Sequence, residues 1–464
     1  MTNASPLVPL ADDRPFAWLT TPLRGLAQEN NGRIVSRNQF LAHVLRMAER
    51  LPATQHVINL CESRYLFLVA TWAAIARGQT TLLPPNRNAA TQADLAARYA
   101  NCVILHDAMN QDLSADLAEL DVSKFDWRLA NASKVSPQID SDQAAIISFT
   151  SGSTGQSRPN PKNWRTLRES SKINARYMLP NSTQIHYQLA TVPGQHMWGL
   201  ETSVLLPVFA NAALVDSKPL YPADVLEALA QLPAPRNLIT TPFHLRALLH
   251  SLSGEAVACP EIAVTLCATA PLDTALAQQQ EAVAGGELRE VYGCSEVGSM
   301  AVRRTAQSAL WRRFDGIHFS HMSDGRTQAS AAYLPSVVDL DDLIDVHSDD
   351  EFSLRGRASD QIKIAGKRGS LQEVNAILNR FSGLQDGVVF FPQQPQRSVP
   401  RLVAIVVLQD GVEKAALRDH LRSYLDAAFV PRPIFVVPSL PREANGKLPK
   451  TNLLTLYDSL KRTQ

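Results

Sequence analysis

A strand–helix–strand unit near the start of the chain is the feature that most constrains the fold. Residues 56–60, HVINL, predict a strand, and residues 80–83 predict a second one. Between them, residues 64–77 predict an apolar helix that Ser63 can cap and Gly78 can end. Two strands joined by a helix over about 30 residues form a βαβ unit, which implies a parallel sheet.

The same alternation recurs up to about residue 357 and then changes. Further strands are predicted at residues 102–105, 185–190, 212–215, 238–240, 262–267 and 288–292, with a helix at 243–252. Beyond residue 357, strands are predicted at 361–364, 388–391, 402–408 and 434–437, and helices at 371–381, capped by Gly383, and at 413–429. We therefore predict an α/β fold with a large N-terminal domain, residues 1–357, of sheets layered with helices. A small, mobile α+β lid domain follows, residues 358–464.

Composition limits the class of protein. Hydrophobic residues make up 45% of the 464 residues and charged residues 19%, which suits a large packed core. The formal net charge of +1 argues against a surface dedicated to nucleic acid. Five cysteines without CxxC spacing predict free thiols rather than zinc or disulfides. No leader and no span are recognisable, because the longest apolar run, residues 65–76, is too short for a bilayer, so a cytoplasmic enzyme is expected.

One stretch, IISFTSGSTGQSRPNPK at residues 146–162, carries the strongest chemical signal. An apolar strand breaks into a loop made only of hydroxyl residues and glycines, residues 150–155. Gly152 and Gly155 allow successive backbone N–H groups to form a concave nest, which suits a polyphosphate. The loop is not a Walker A motif, because GxxxxGK[ST] is absent. Taken alone, it could equally be a flexible connector.

Four later segments complete a pattern. They are VYGCSE at residues 291–296, LDDL at 340–343, GRASDQIKIAGKR at 356–368 and NGKLPK at 445–450. Each alone could be an ordinary turn, a solvated basic face or a loop tip. In this order, and with the loop at 150–155, they resemble the adenylate-forming superfamily over nearly the whole chain. That superfamily contains acyl- and aryl-CoA ligases, nonribosomal peptide adenylation domains and acyl-carrier-protein ligases.

The resemblance implies a two-step reaction with ATP and Mg²⁺. A carboxylate attacks the α-phosphorus of ATP, pyrophosphate leaves, and a thiol then captures the acyl adenylate. Lys447, Ser295 and His196 are the expected catalytic residues, with Lys447 bridging the carboxylate and the α-phosphate. Glu296 and Thr154 are expected to hold Mg²⁺. Ser359 is the expected hinge of the lid.

The resemblance also implies two sets of binding residues. For ATP they are Thr150, Ser151, Gly152, Ser153, Thr154, Gly155, Thr269, Ala270, Pro271, Tyr292, Gly293, Asp342 and Arg357, with Tyr292 stacking on adenine and Asp342 accepting the ribose hydroxyls. For the acid they are His196, Met197, Trp198, Gly293 and Cys294. His196 belongs to a PxxHxxG-like segment, although a satisfied core histidine is the alternative.

The sequence departs from the family pattern in three places. The usual lysine after the phosphate loop is replaced by Arg158, with Lys162 four residues further on, and the sequence does not decide which meets the γ-phosphate. The hinge position is Ser359 rather than Asp or Lys. The ribose aspartate falls in an Asp341-Asp342 pair, where spacing favours Asp342.

Substrate and acceptor are less constrained. The segments FTSGSTG and VPGQHMWGLE are similar to those of ligases from aryl polyene and xanthomonadin pigment clusters, which load hydroxybenzoates onto an acyl carrier protein. Lys414, Arg418 and Arg422 recur every four residues and predict a basic stripe that could steer an acidic carrier protein, or simply be solvated. The alternatives are a ligase that uses free CoA and a nucleotide-binding protein that has lost catalysis.

Overall fold

The structure is a computed structural model that describes residues 6–10, 17–20, 33–107, 112–125, 133–151, 157–252, 258–322, 326–357, 360–364, 367–392, 401–443 and 446–462. In the larger, N-terminal part the strands are β1 (Leu7–Pro9), β2 (Ala17–Thr20), β3 (Arg33–Ser36), β4 (His56–Asn59), β5 (Thr80–Leu83), β6 (Cys102–His106), β7 (Glu119–Asp121), β8 (Gln138–Asp140), β9 (Ala144–Ser151), β10 (Ser157–Asn163), β11 (His186–Ala190), β12 (Ala212–Leu214), β13 (Arg236–Thr240), β14 (Val264–Cys267), β15 (Glu287–Cys294), β16 (Gly298–Arg303), β17 (Trp311–Arg313), β18 (His318–His321), β19 (Thr327–Ser330), β20 (Val338–Leu340), β21 (Asp342–Val346) and β22 (Glu351–Arg357).

The helices of the same part are α1 (Arg37–Arg50), α2 (Arg64–Ala76), α3 (Ala89–Arg98), α4 (Trp164–Met178), α5 (Met197–Gly199), α6 (Leu206–Phe209), α7 (Pro222–Gln231), α8 (Pro242–Leu252) and α9 (Thr274–Ala284), with a 3₁₀ turn at Val122–Lys124 and a π-helix at Leu200–Leu205. The C-terminal part consists of β23 (Gln361–Ile364), β24 (Lys367–Ser370), α10 (Leu371–Asn379), β25 (Leu384–Phe390), β26 (Val403–Leu408), α11 (Lys414–Tyr424), β27 (Ile434–Val436) and α12 (Lys450–Arg462).

Two large sheets dominate the N-terminal part. The first has the strand order β10-β9-β5-β4-β6-β7, in which β10 alone is antiparallel to its neighbour. The second has the order β12-β11-β13-β14-β15-β16-β17-β22-β21, parallel from β12 to β15 and antiparallel from there on. The predicted βαβ unit and parallel sheet are confirmed. The antiparallel half, β16 to β22, was not predicted.

Helix α2 packs against β4 and β5 of the first sheet, against α1 and against the π-helix, and it is buried as its apolar sequence predicts. Every residue from Arg64 to Ile75 is buried, and the Ser63 hydroxyl caps the helix by accepting the Leu66 N–H at 3.1 Å. Helix α1 and the π-helix belong to the same core. Among the described residues, no helix combines the length and the apolar character needed to cross a bilayer.

The C-terminal part has its own core around β25 and β26, and two of its predicted helix ends are wrong. Helix α10 ends at Asn379 with Arg380 as its C-cap, so Gly383 does not cap it. Helix α11 ends at Tyr424 rather than at residue 429. There the Asp426 carboxylate accepts the Ala428 N–H at 3.0 Å, a local turn that competes with the helix.

The C-terminal part contacts the rest of the chain through a few polar groups. Arg246 donates to the Asn379 carbonyl at 3.4 Å, and Arg380 lies 3.9 Å from the Asp273 carboxylate. The Arg442 guanidinium lies 5.3 Å from the centre of the Phe243 ring, at the start of α8. These contacts place the turn at Gly446 against the N-terminal part of the chain.

Candidate active site

The site is built around the turn between β15 and β16, residues 295–297. Gly293 is required here, because a Cβ at that position would lie 2.4 Å from the Gly298 carbonyl oxygen. This close approach folds Ser295 and Glu296 outward at the end of the parallel strands. In open α/β sheets such strand ends are where ligands bind.

A chain of polar contacts links this turn to the predicted ribose aspartate. Asp342 begins β21 and lies opposite Arg357 of β22, with the Arg357 Nε 3.5 Å from Asp342 Oδ1. The Tyr292 hydroxyl donates to the other Asp342 oxygen at 3.1 Å. Burial alone would lower the pKa of Arg357, but neighbouring carboxylates, Asp342 above all, raise it. The structure therefore brings together three of the predicted nucleotide-binding residues.

The Tyr292 ring is itself largely buried. Its centre lies 5.7 Å from that of Trp311 and 5.9 Å from that of Phe352. Burial, followed by the charge of Asp342, raises the pKa of its hydroxyl. Stacking of this ring on adenine stays a prediction.

A cavity of about 110 Å³ lies beside the turn and is lined by residues of both the N-terminal and the C-terminal part of the chain. It is lined by Leu83, Pro84, Pro85, Ser148, Phe149, Val192, Gln195, His196, Met197, Trp198, Gly199, Thr269, Ser295, Glu443 and Lys447. All three predicted catalytic residues are in this set. Thr269, from the predicted adenine turn, has a backbone φ of 84°, which is strained for a residue with a side chain.

Lys447 reaches this cavity from a rigid turn. Gly446 has a backbone φ of 77°, and its carbonyl accepts a hydrogen bond from Arg442 at 2.9 Å. Arg442 also donates to both carboxylate oxygens of Asp386, at 2.7 and 2.8 Å. Removal from water lowers the pKa of Lys447, although its side chain keeps part of its surface exposed. The nearby Arg357 lowers this pKa too, whereas Glu296 raises it, so Lys447 lies within electrostatic reach of both.

His196 lines the same cavity and lies within electrostatic reach of three positive charges. Its pKa is lowered to about 4, first by burial and then by Lys447, Arg87 and Lys218. The imidazole is therefore neutral near pH 7 and does not repel Lys447. Next to it, the Trp198 indole N–H donates to the Thr240 carbonyl at 3.0 Å, which fixes the ring in the cavity wall.

The two candidates for the missing loop lysine lie in different places. Lys162 is buried at 4% exposure and donates to the carbonyl of Glu296 from behind the turn. Arg158 is exposed on β10, directly after the predicted phosphate loop, and pairs with Thr150 of β9. Of the two, Arg158 has the exposed side chain, and which of them meets a γ-phosphate stays a prediction.

Several predicted site residues lie outside the described part of the chain. These are Gly152, Ser153, Thr154, Gly155 and the hinge residue Ser359. Thr150 and Ser151 are described only as backbone at the end of β9. The remaining cofactor and pocket residues, Ala270, Pro271 and Cys294, follow the ends of β14 or close β15, around the same turn.

The sequence reasoning missed several buried charges, and two of them support the candidate site. Glu201 lies in the π-helix and Arg64 begins α2, and both are under 5% exposed. The available signal was a single charge in or beside a long apolar run, since charged side chains are rarely buried without a partner. Arg64 donates to the carbonyls of Ala190 and Val192 and to Ser203, so it holds the strand that leads into the His196 segment.

Comparison with known proteins decides the family. The profile of the AMP-binding enzymes matches residues 40–319, and that of the AMP-binding enzyme C-terminal domain matches residues 373–447. The chain belongs to the AMP-binding enzyme family. It is therefore an AMP-forming ligase that binds ATP.

Individual relatives agree with this assignment. A 4-coumarate–CoA ligase of Rhodobacter capsulatus is 30% identical over 311 residues, which are 66% of this chain and 75% of that enzyme. The fold is similar to that of ATP-bound MatB from Rhodopseudomonas palustris, with a TM-score of 0.79 at 18% identity over 97% of each chain. It is equally similar to the anthranilate CoA ligase AuaEII, with a TM-score of 0.79 at 15% identity over 98% of this chain and 96% of that one. The predicted adenylate-forming fold, with its large and small domains, is confirmed.

Proposed function

We propose that this AMP-binding enzyme activates a small aryl acid, such as 3- or 4-hydroxybenzoate, and loads it onto an acyl carrier protein. The first step forms acyl-AMP and releases pyrophosphate, and the second forms a thioester with the phosphopantetheine thiol. The observation that carries this proposal is the shared cavity, in which Lys447 of the C-terminal part faces His196 and Ser295.

The geometry supports a separate role for each of three residues in the first step. Lys447 would lie against the acid carboxylate and the α-phosphate, where its charge offsets the negative charge that develops in the transition state. The Ser295 hydroxyl would donate to the α-phosphate. Neutral His196 would form the wall between the acid and the acceptor thiol without adding charge. No side chain needs to form a covalent bond, so positioning supplies most of the rate enhancement.

Glu296 fits a magnesium ion. Its carboxylate is exposed beside the cavity, and Mg²⁺ is commonly held by one or two carboxylates together with phosphate oxygens. When bound, the ion would neutralise phosphate charge as pyrophosphate leaves. Glu296 also acts on Lys447 electrostatically, so both signs of charge needed around a triphosphate are present at one place.

The lining of the cavity supports a small aromatic acid. Phe149 and Trp198 supply flat apolar walls, to which an aryl ring is complementary. Assays of ATP–pyrophosphate exchange across a panel of aryl, aliphatic and dicarboxylic acids test this step. Exchange that is strongest with hydroxybenzoates supports the proposal, and no exchange with any acid contradicts it.

The surface of α11 supports a carrier protein as the acceptor. Leu417 and Leu421 are buried and Lys414, Arg418 and Arg422 are exposed, as the spacing predicted. The stripe is not purely basic, because Arg422 lies 3.7 Å from the Asp419 carboxylate. A partly neutralised stripe still favours an acidic carrier protein over a neutral surface.

A second candidate is a ligase that uses free CoA, and the similarity to a 4-coumarate–CoA ligase favours it. Thioester yields with CoA and with holo-carrier protein separate the two. With the carrier protein, Arg418→Glu should raise the KM for that protein and leave pyrophosphate exchange unchanged. Lys461→Glu on α12 is the matched control for a charge reversal elsewhere. An equal loss in both half-reactions would reject docking at α11.

A further inference from the structure

Buried side chains hold the turn at residues 295–299 at two points. Lys162 donates to the Glu296 carbonyl at one end. At the other end, the Glu201 carboxylate accepts the Ser299 N–H at 3.1 Å and the Ser299 hydroxyl at 2.7 Å. All three supporting side chains, Lys162, Glu201 and Ser299, are at most 4% exposed.

The fit between Glu201 and the turn leaves no spare room. Gly298 has a φ of 98°, and a Cβ there would lie 2.3 Å from Glu201 Oε1. Glu201 lies in a π-helix, a form often found at functional sites, which follows directly on the acid-binding segment at residues 196–199. The buried Glu201 carboxylate therefore contacts the turn at residues 295–299, where ATP is proposed to bind. Its π-helix directly follows residues 196–199, where the acid is proposed to bind.

Resting on the proposed function, we propose that Glu201 and Lys162 are positioning residues that hold the Ser295–Ser299 turn in the shape that binds Mg·ATP. Neither side chain faces the cavity described above, so both act through the turn. Their charges support one another: burial raises the pKa of Glu201 and Lys162 lowers it, while burial lowers the pKa of Lys162 and Glu201 raises it. Each residue thus favours the ionised form of the other, against the effect of burial.

The test measures the affinity for Mg·ATP by calorimetry, which does not depend on knowing the acid. Glu201→Gln replaces one acceptor with a donor, and Lys162→Met removes the ammonium group. Each should weaken Mg·ATP binding roughly 10–100-fold, the usual cost of losing a group that orients a ligating one. Glu281→Gln is the matched control, because Glu281 is a shielded carboxylate that bonds Arg304 and the Leu288 N–H away from the cavity. It should leave the affinity unchanged.

A double variant distinguishes a role in positioning the turn from a role in the stability of the protein alone. Removing one partner of a buried charge pair leaves an uncompensated charge, whereas removing both relieves it. Glu201→Gln/Lys162→Met should therefore recover melting temperature relative to the single variants, while its Mg·ATP affinity stays weak. Affinity that recovers together with stability, or that never falls in the single variants, overturns the inference.

Ser299→Ala covers the case in which the charge variants do not fold. It removes only the hydroxyl hydrogen bond to Glu201 and should still weaken Mg·ATP binding measurably. Unchanged affinity in folded Ser299→Ala, when the other variants are unfolded, rejects the inference. A wild type that binds Mg·ATP but shows no pyrophosphate exchange with any acid would reject the proposed function. The positioning roles of Glu201 and Lys162 would still be tested by the Mg·ATP affinities of the variants.

Discussion

The two walls of the cavity are supported in different ways. The N-terminal wall is anchored in the core: Arg64 holds the strand before His196, and Lys162 and Glu201 hold the turn at residues 295–299. The C-terminal wall is braced internally by the Arg442–Asp386 pair, and among the described residues its polar contacts with the N-terminal part include Arg246 with Asn379 and Arg380 with Asp273. We propose that the N-terminal wall is a fixed template and that the C-terminal wall moves as a unit.

Breaking the support of the fixed wall should have the largest effect. Arg64 is 2% exposed and donates to the buried carbonyls of Ala190 and Val192, so Arg64→Ala leaves these acceptors without their donor and takes a positive charge away from the buried Asp216 carboxylate. We expect the free energy of unfolding to fall by about 3–5 kcal/mol. Denaturant titration measures it, with the exposed Arg98→Ala on α3 as a control. A loss as small as that of the control would mean that the wall is not anchored there.

Removing the moving charge should affect catalysis rather than stability. Lys447→Ala should lower the rate of acyl-AMP formation about 10²–10³-fold, equivalent to about 2.7–4 kcal/mol, because a charge aimed at the developing phosphate charge is lost. Thioester formation from supplied acyl-AMP should be largely intact, since that step does not need Lys447. Lys450→Ala, three residues further on, is the control. Equal loss in both half-reactions would show that Lys447 has been given the wrong role.

The pH dependence of the first step sharpens the comparison. Because the pKa of His196 is lowered to about 4, acyl-AMP formation should show no titration of a histidine near pH 6.5. Below that range, protonation of His196 costs folding energy, so its contribution to stability is complete above about pH 6.5 and is lost as the pH falls towards 4. In Lys447→Ala the pKa of His196 should rise, yet burial should keep it below its ordinary value. NMR titration of the imidazole tests both statements.

The contact between the two walls should matter least for stability. Arg380 and Asp273 are 3.9 Å apart and the arginine is exposed, so Arg380→Ala should change the free energy of unfolding by only about 0–1 kcal/mol. Arg380→Ala should nevertheless change the ratio of the rates of the two half-reactions, because it removes a contact that stabilises the observed orientation of the C-terminal wall. Single-turnover rates of the two steps measure this. Destabilisation as large as that of Arg64→Ala would show a fixed interface instead.

Sequence reasoning reached the local features of this fold and missed those that depend on packing. The buried helix α2 and the parallel strands follow from composition and spacing, and the residues of the Tyr292–Glu296 and Gly446–Lys447 turns follow from their motifs. The support by Glu201 and Lys162 was not predictable, because it depends on a π-helix and on contacts between residues 98 and 134 positions apart. The short antiparallel strands were missed because pairing across a sheet, rather than local propensity, determines them.

The central claim is that one orientation of the C-terminal wall serves acyl-AMP formation and that another is needed for thioester formation. A disulfide can test it, because a Cβ at Gly446 would lie 3.7 Å from the Thr241 Cβ, within the usual range for a disulfide. In the oxidised Thr241→Cys/Gly446→Cys variant we predict that pyrophosphate exchange continues while thioester formation stops, and that reduction restores it. An oxidised, fully cross-linked enzyme that completes both half-reactions would contradict the account.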